Sequence, residues 1–505
     1  MKLLRPQTDG IPPHPRREPR VDGPLTVDTL RRAFADCVDF AVREADLAGD
    51  PEKRVTMCYI GGMVKLERAS EYILRPLAQD STLRDAPPEE AWRKMAGGAL
   101  YNLMVEQRTT ADQAALDIIN GNLILFFPGA PAVLSFYMAT EDKRSVSAPD
   151  NEPSIKGARD SFVENLRSNT SLVRRHLRAP ELKIREKIVG RQSLTPVDIL
   201  WLDNIADPDL VQRVEERVAA IDIDALLSTG NLEEYIVDET STAFPLVLYT
   251  ERPDRFCAGL AQGRVGILVE GLPLGYLCPG TAGEFLRAPQ DKANNWMTAS
   301  VLTLLRCLCI FGTLLLPAVY VAMVNFHQEM IPTRLALSII AAKRDVPFTT
   351  VFEVLLMLVA FEILQDAGLR LPPSIGQTVS IIGGLVVGTA AVEAKIISPA
   401  VLIVVAAAGI AGYTMPSQEF AAALRLWRFL LAVLAGWAGL FGVVAGAAVL
   451  ILRLARLESF GVAYLTPFAS NAGRQKQGHV VLRSPLPRDK LREDYLNTGN
   501  RRDQG

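Results

Sequence analysis

Apolar positions divide the 505-residue chain into three parts. As far as about residue 297, apolar and charged residues alternate over short distances. Beyond it lie four long uncharged runs, Cys307–Val324, Leu371–Val392, Ile396–Met415 and Phe429–Leu452, and charges return after Leu452. A helix needs about 20 apolar residues to cross roughly 30 Å of hydrocarbon, and soluble core helices seldom run that far without a charge. The pattern therefore predicts a membrane-embedded region from residue 297 to residue 452. Two weaker apolar pieces, Leu335–Ala342 and Val354–Phe361, are each too short to span alone. They fit half-helices, a re-entrant hairpin, or one charge-bearing span over 349–367.

The first part predicts alternating helices and strands. Residues 28–46 suggest an amphipathic helix, followed by a strand over Arg54–Ile60. Residues 88–118 look helical. Leu123–Phe127 and Val133–Met138, separated by Pro128-Gly129-Ala130-Pro131, carry a hairpin signal. A second alternation follows the polar stretch 141–156. It comprises a basic helix over Phe162–Leu177, strands over Leu182–Val189 and Val197–Trp201, and a helix over Asp207–Ala220. Asp207 would cap that helix and Pro208 would occupy its first turn. Leu246–Tyr249 and Val265–Val269 look like buried strands. The expected fold is a membrane protein with two small cytoplasmic α/β (α+β) subdomains followed by an α-helical bundle of four to six membrane segments. Its parts are a disordered tail (1–26), subdomains at 27–140 and 157–296 joined by a linker (141–156), the bundle (297–452) and a basic tail (453–505).

Charge sets the expected orientation. The N-terminal stretch MKLLRPQTDGIPPHPRREPR has no apolar core and is broken by proline, unlike a signal peptide. The tail after Leu452 carries ten Lys/Arg against five Asp/Glu, so it should be cytoplasmic, and Arg306 marks the inner end of the first span. Trp296 is placed as an interfacial aromatic. Both termini inside requires an even number of crossings. The six cysteines, at 37, 58, 257, 278, 307 and 309, show no disulfide-framework spacing.

Soluble catalysis finds little support. There is no Gly-x-Gly-x-x-Gly, Walker A, His-Glu-x-x-His or paired Cys-x-x-Cys motif. No cofactor, metal or nucleic-acid site is indicated. The membrane region carries the candidates. Glu353, Glu362 and Asp366 fall on one predicted helix, and intramembrane carboxylates face a partner or a watery cavity. Two readings stay open: a cation or proton path, and an interfacial helix with solvated carboxylates. Residues 374–395, SIGQTVSIIGGLVVGTAAVEAK, are rich in small and hydroxylated residues. Gly384 and Gly388 form a Gly-x-x-x-Gly pair suited to tight helix packing. The sharper reading lines a pore with Gln377, Thr378, Gly384, Val387, Gly388 and Ala391, with Glu393 at one mouth. Pro317 and Pro399 are candidate kinks, and Gly442 and Gly446 a packing pair. In the soluble part, Arg252, Asp254 and Arg255 are candidates for bridging neighbouring subunits, or for a local salt-bridged turn around Pro253.

Several strings in order resemble one family. They are KGARDSFVENLR (156–167), YTERPDR (249–255), GRVGILVEG (263–271), FHQEMIPT (326–333), VPF (346–348), IGQT (375–378), Gly383-Gly384, AAVEA (390–394) and SFGVAYL (459–465). With these the chain resembles the A subunit of GerA-type spore germinant receptors over about 155–470. It departs from the family pattern at Leu358-Val359, where a glutamate is usual, and at Lys292–Trp296, where Tyr-Tyr-Glu-Arg-Trp is usual. The resemblance implies a multi-pass protein of the spore inner membrane that works with a transporter-like B subunit and a lipoprotein C subunit. It further implies a pentameric, nutrient-gated cation channel whose opening starts germination. The alternatives are a non-conducting signalling scaffold and, less simply, a secondary transporter.

Overall fold

The computed structural model describes residues 21–47, 50–79, 87–99, 105–140, 152, 158–370, 388–468, 483–485 and 491–503. These form two compact units. The first comprises residues up to Asp238, Val247–Pro279 and Pro485 onward; the second comprises Glu239–Leu246 and Gly280–Ser484.

The first unit is a pair of lobes with one plan. The first lobe runs α1 (Val27–Ala33), β1 (Phe40–Leu47), β2 (Asp50–Ile60), α2 (66–79), α3 (88–99), β3 (Val105–Arg108), α4 (Ala111–Ile119), β4 (Asn122–Phe126) and β5 (Val133–Tyr137). The second runs α5 (Leu166–His176), β6 (Leu182–Val189), β7 (Thr195–Leu202), α6 (Pro208–Ala219), α7 (Thr229–Ile236), β8 (Leu248–Thr250), α8 (Pro253–Ala261), β9 (Val265–Val269) and β10 (Gly275–Cys278). The antiparallel sheets have orders β1-β2-β4-β5-β3 and β6-β7-β9-β10-β8, which are the same topology. Adding 142 to a first-lobe number gives its counterpart: Phe40–Leu47 becomes Leu182–Val189, and Ala111–Ile119 becomes Pro253–Ala261. The turns agree too. Gly121 and Gly263 have φ of 87° and 99°, and Gly129 and Gly271 have 76° and 85°, a left-handed conformation that glycine adopts without steric cost.

Alternation along the strands covers both faces of the first sheet. Met57, Leu123 and Leu125 meet Ile73, Leu77 and Trp92 on one side. Cys58, Ile60 and Ile124 meet Leu30, Ala114 and Ile118 on the other. Side chains fix the helix starts. Thr26 accepts from Thr29 N–H, Asn165 from Ser168 N–H, and Asp207 from Asp209 N–H ahead of Pro208. The helix expected over 28–46 stops at Ala33. Asp36 takes φ 60°, and residues 40–47 form a strand paired with β2. The helix expected over 88–118 is likewise interrupted by β3, and α4 begins only at Ala111.

The lobes differ at one edge. In the first, the chain continues past β5 and Thr140 N–H donates to Met63 O at 2.9 Å. In the second, the chain leaves the unit after Pro279. The counterpart acceptor, Ile205 O, instead takes Gly499 N–H at 3.0 Å. Arg264 Nη2 donates to Tyr495 Oη at 2.9 Å, and Arg492 Nε to Ala261 O at 2.7 Å. Residues 491–503 thus finish the second lobe. Between the lobes Val38 N–H bonds Ile184 O and Ile184 N–H bonds Asp36 O, both at 2.9 Å. Beside them Arg174, with no exposed surface, forks onto Asp39 through Nε (2.5 Å) and Nη2 (2.8 Å).

The second unit is helical. Its elements are α9 (Trp296–Asn325), α10 (Thr333–Lys343), α11 (Thr350–Arg370), a short helical piece from Gly388, α12 (Pro399–Gly412) and a final helical stretch, Gln418–Arg456. Pro399 opens its helix at the first turn, where a missing N–H costs nothing, so it kinks nothing. The expected single span over Phe429–Leu452 is corrected by Gly439, whose φ of 61° and ψ of −143° break the helix. A Cβ on Gly442 would lie 2.2 Å from Leu434 O, and one on Gly446 would lie 2.5 Å from Leu431 Cδ2. Residues 431 and 446 would stand about 22 Å apart on a straight helix, so the chain doubles back. The legs, α13 (418–438) and α14 (440–456), form a hairpin in which Gly442 and Gly446 allow the close approach.

Contacts within the unit give the helix directions. The hairpin tip at Gly439 touches Phe326 and His327, just past the end of α9. Phe420 packs on Phe244 and Phe285, and Arg453 pairs with Glu239, so both legs begin or end at the base where α9 starts. Val351 meets Gly436 near the tip and Glu362 meets Arg425 further down, so α11 descends. Ser398 meets Glu353 and Gly412 meets Thr313, so α12 descends as well. Thus α11 ends at the base, and Ser398 precedes α12 near the tip. Trp296–Asn325 is long and apolar enough to cross a bilayer, and Gln418–Arg456 has the length and apolar character to enter one as the hairpin of α13 and α14. Trp437 (82%), Phe441 (78%) and Ile403 (68%) are exposed on the outside, an apolar surface suited to lipid.

Candidate functional site: charges inside the helical unit

Two carboxylates of α11 meet cations of neighbouring helices, one buried and one part-exposed. Thr350–Arg370 is one continuous helix, which selects the single-helix reading of 349–367. Glu353 sits in its first turn and is fully buried. Its Oε2 accepts Ser398 N–H at 2.8 Å, at the N-terminus of α12, where the helix dipole favours negative charge. Its Oε1 lies 3.8 Å from Lys343 Nζ, within ion-pair range but beyond hydrogen-bond reach, and has no hydrogen-bond partner. Lys343, at the end of α10, donates instead to Thr350 Oγ1.

Glu362 stands nine residues further, about 13 Å down the axis. Arg425 Nε approaches its Oε1 to 2.9 Å, off the hydrogen-bond line, and Arg428 Nη2 reaches Oε2 at 3.9 Å. Arg428 is itself buried. Asp366, one turn beyond Glu362, is exposed. The structure thus brings Glu353 and Glu362 to cations of other helices, Glu353 in the interior and Glu362 part-exposed, and leaves Asp366 on the surface. Lys343, Arg425 and Arg428 escaped the sequence reading because each borders an apolar run and reads as a helix-end charge. The signal available was their rarity: few charges of either sign occur between residues 307 and 452.

A cavity of about 680 Å³ opens beside this site, bounded by Val324, Gln328, Ala336, Ile340, Lys343 and Thr350 among others. Of the pore candidates, Gln377, Thr378, Gly384 and Val387 lie outside the described residues. Gly388 packs on α12, where an added Cβ would meet Leu402 Cδ1 at 3.2 Å. Ala391 is half-buried and Glu393 exposed; nearby Lys395 pairs with Asp345 at 2.5 Å.

In the first unit, Arg252 forks onto Asp254 at 3.0 and 2.7 Å and is almost wholly buried, while Arg255 pairs with Glu152. The Arg252 side chain holds the Asp254 carboxyl below the usual range against the opposing effect of burial. Arg252 and Asp254 thus form a salt-bridged turn around Pro253, and Arg255 ties it to Glu152. Burial raises the Cys58 thiol to about 12, and all six cysteines are free.

Residues 28–495 match the family model described as Bacillus/Clostridium GerA spore germination protein. The chain belongs to this family. It is 36% identical over 463 residues to a Bacillus subtilis protein named uncharacterized membrane protein YfkQ, covering 91% of this chain and 88% of that one. It is 34% identical to the Bacillus subtilis spore germination protein KA, covering 92% and 85%. It is 31% identical to the Bacillus cereus spore germination protein GerLA, covering 91% and 92%. Among solved structures, the N-terminal domain of the A subunit of the Bacillus megaterium spore germinant receptor GerK3 matches 50% of this chain and 91% of that one, at 25% identity and a TM-score of 0.40. Family membership puts the apolar helices in the setting of a membrane-associated germination protein.

Proposed function

We propose that the chain is the A subunit of a spore germinant receptor, forming with further copies of itself a nutrient-gated cation channel in the spore inner membrane. The observation that carries this reading is Glu353, a fully buried carboxylate with one oxygen lacking a hydrogen bond, set beside a cavity inside an apolar bundle. Charge is expensive in hydrocarbon and is retained where ions or protons are handled. In this reading the chain crosses the membrane six times. Five of the crossings are α9, α11, α12 and the two legs of the hairpin; the sixth is the apolar run Leu371–Val392 read from the sequence, most of which lies outside the described residues, and both termini stay cytoplasmic. The segment 374–395 supplies the conducting wall from each copy of a pentamer. A transporter-like subunit and a lipoprotein subunit complete the receptor.

The test is a bulky replacement, Val387→Trp or Gly388→Trp, in sporulating cells. Loss of germinant-triggered potassium release with the protein still present supports conduction along 374–395. Unchanged release removes that segment from the path. One observation favours a non-conducting scaffold: Glu353 and Glu362 each have a cationic partner, as in a bundle held by internal ion pairs. A symmetric oligomer with 374–395 away from its axis would decide for the scaffold.

A further inference from the structure

We propose that Glu353 is a monovalent-cation site and that Lys343 is its built-in competitor, a tethered ammonium that holds the site until it is displaced. This inference rests on the cation-channel reading and names the regulation of that path. The geometry is specific. Glu353 gives one oxygen to the Ser398 N–H and keeps the other, Oε1, without a hydrogen bond although no part of the side chain is exposed. A buried carboxylate oxygen left in that condition is costly, and the nearest compensating charge is Lys343 Nζ at 3.8 Å. The ammonium is bound to the hydroxyl of Thr350, one turn before Glu353 on the same helix. A carboxylate oxygen beside a hydroxyl oxygen is a ligand set that also suits a hard alkali cation.

The surroundings allow exchange. Lys343 and Thr350 both line the cavity of about 680 Å³, so the ammonium has space to withdraw along its four-carbon stem. An ion entering the cavity meets Thr350 on its wall, and Glu353 lies one turn further along the same helix, behind the ammonium that would have to withdraw. The positive end of α12 at Ser398 steadies the carboxylate whether or not the lysine is near. Lys343 ends α10, a helix with no fully buried residue, so its position is only lightly fixed by packing. Movement of α10 away from α11 would draw the ammonium off Thr350 and Glu353.

The experiment uses the purified full-length chain in detergent and measures thermal unfolding in rubidium chloride against equimolar choline chloride. Wild type should unfold at the same temperature in both salts, since the lysine fills the site. Lys343→Met should be less stable in choline and regain about 2–4 °C in rubidium, at a concentration tenfold above its dissociation constant. Lys343→Met with Glu353→Gln should lose the rubidium response. Should Lys343→Met fail to fold, Lys343→Gln, whose amide can still reach Thr350, serves in its place. Equal behaviour of the single variant in the two salts overturns the proposal, as does a rubidium response that survives Glu353→Gln. Because the readout is equilibrium binding, it stands apart from conduction. Failure of the Gly388 flux test would strike the channel reading and leave this measurement untouched.

Discussion

Removing the buried carboxylate of Asp39 should loosen the joint between the two lobes. Arg174 has no exposed surface, and Asp39 only a trace. Burial works against the guanidinium charge, and the facing carboxylate overcomes it. Asp39→Ala leaves Arg174 with no carboxylate, only the neutral Leu182 carbonyl, at 3.3 Å from Nη1, and the Cys37 thiol. Breaking a buried pair by deleting one partner costs about 3–5 kcal/mol, because a charge is stranded, whereas replacing both partners with apolar groups is often close to neutral. At about 2 °C per kcal/mol for a unit of this size, the first unit should melt roughly 6–10 °C lower. Hydrogen exchange read by mass spectrometry should accelerate at residues 36–38 and 182–184, whose backbone bonds join the lobes. Asp39→Leu with Arg174→Met should recover most of the loss. A fall of less than about 2 °C, or a double variant no better than Asp39→Ala, would refute the reasoning, since neither fits a stranded charge.

Other outcomes can be checked on the same full-length protein. Burial pushes Asp198 up to about 7, above its unfolded value. Its contribution to stability is therefore full at low pH and is lost as pH rises through 7. Asp198→Asn should flatten that fall and stabilise the first unit at pH 8 by about 1–2 kcal/mol, read from melts across pH 5–8. Ending the chain after residue 490 should lower the melting temperature and raise exchange at 204–206 and 261–264, the stretches that residues 491–503 cover; unchanged exchange there would count against the assignment. Gly439→Ala and Gly442→Val should each destabilise the hairpin by ~1–3 kcal/mol, one through a left-handed backbone and the other through collision with Leu434 O. Chemical denaturation in detergent would measure both.

The sequence carried the buried elements best. Val265–Val269 is a run of apolar residues whose side chains are all buried, and Asp207-Pro208 announces a helix start by its chemistry. Edge strands were hidden. Residues 40–47 contain Ala, Arg and Glu, which favour helix locally, and only pairing with β2 makes them a strand. The lobe duplication was hidden too, because few residue types persist across it. Among those that survive are Asp112 and Asp254, Gly121 and Gly263, Gly129 and Gly271, and Pro131 and Pro273, and the glycines do so because their turns need a positive φ. At the candidate site, Glu353 was visible as a charge among apolar residues. Its dependence on Lys343 and Ser398 was not, since both come from other helices. The reversal at Gly439 was invisible because composition stays apolar straight through it.

The completion of the second lobe by residues 491–503 orders the birth of the molecule. The first lobe is finished by one contiguous stretch of chain, so it can close as soon as it clears the ribosome. The second cannot. Arg264 waits for Tyr495, 231 residues downstream, and all of the helical unit is made in between. Until residues 491–503 emerge, the Ile205 and Ala261 carbonyls lack the partners that the finished lobe gives them, so the second lobe closes only after the long helices of the second unit have been synthesised.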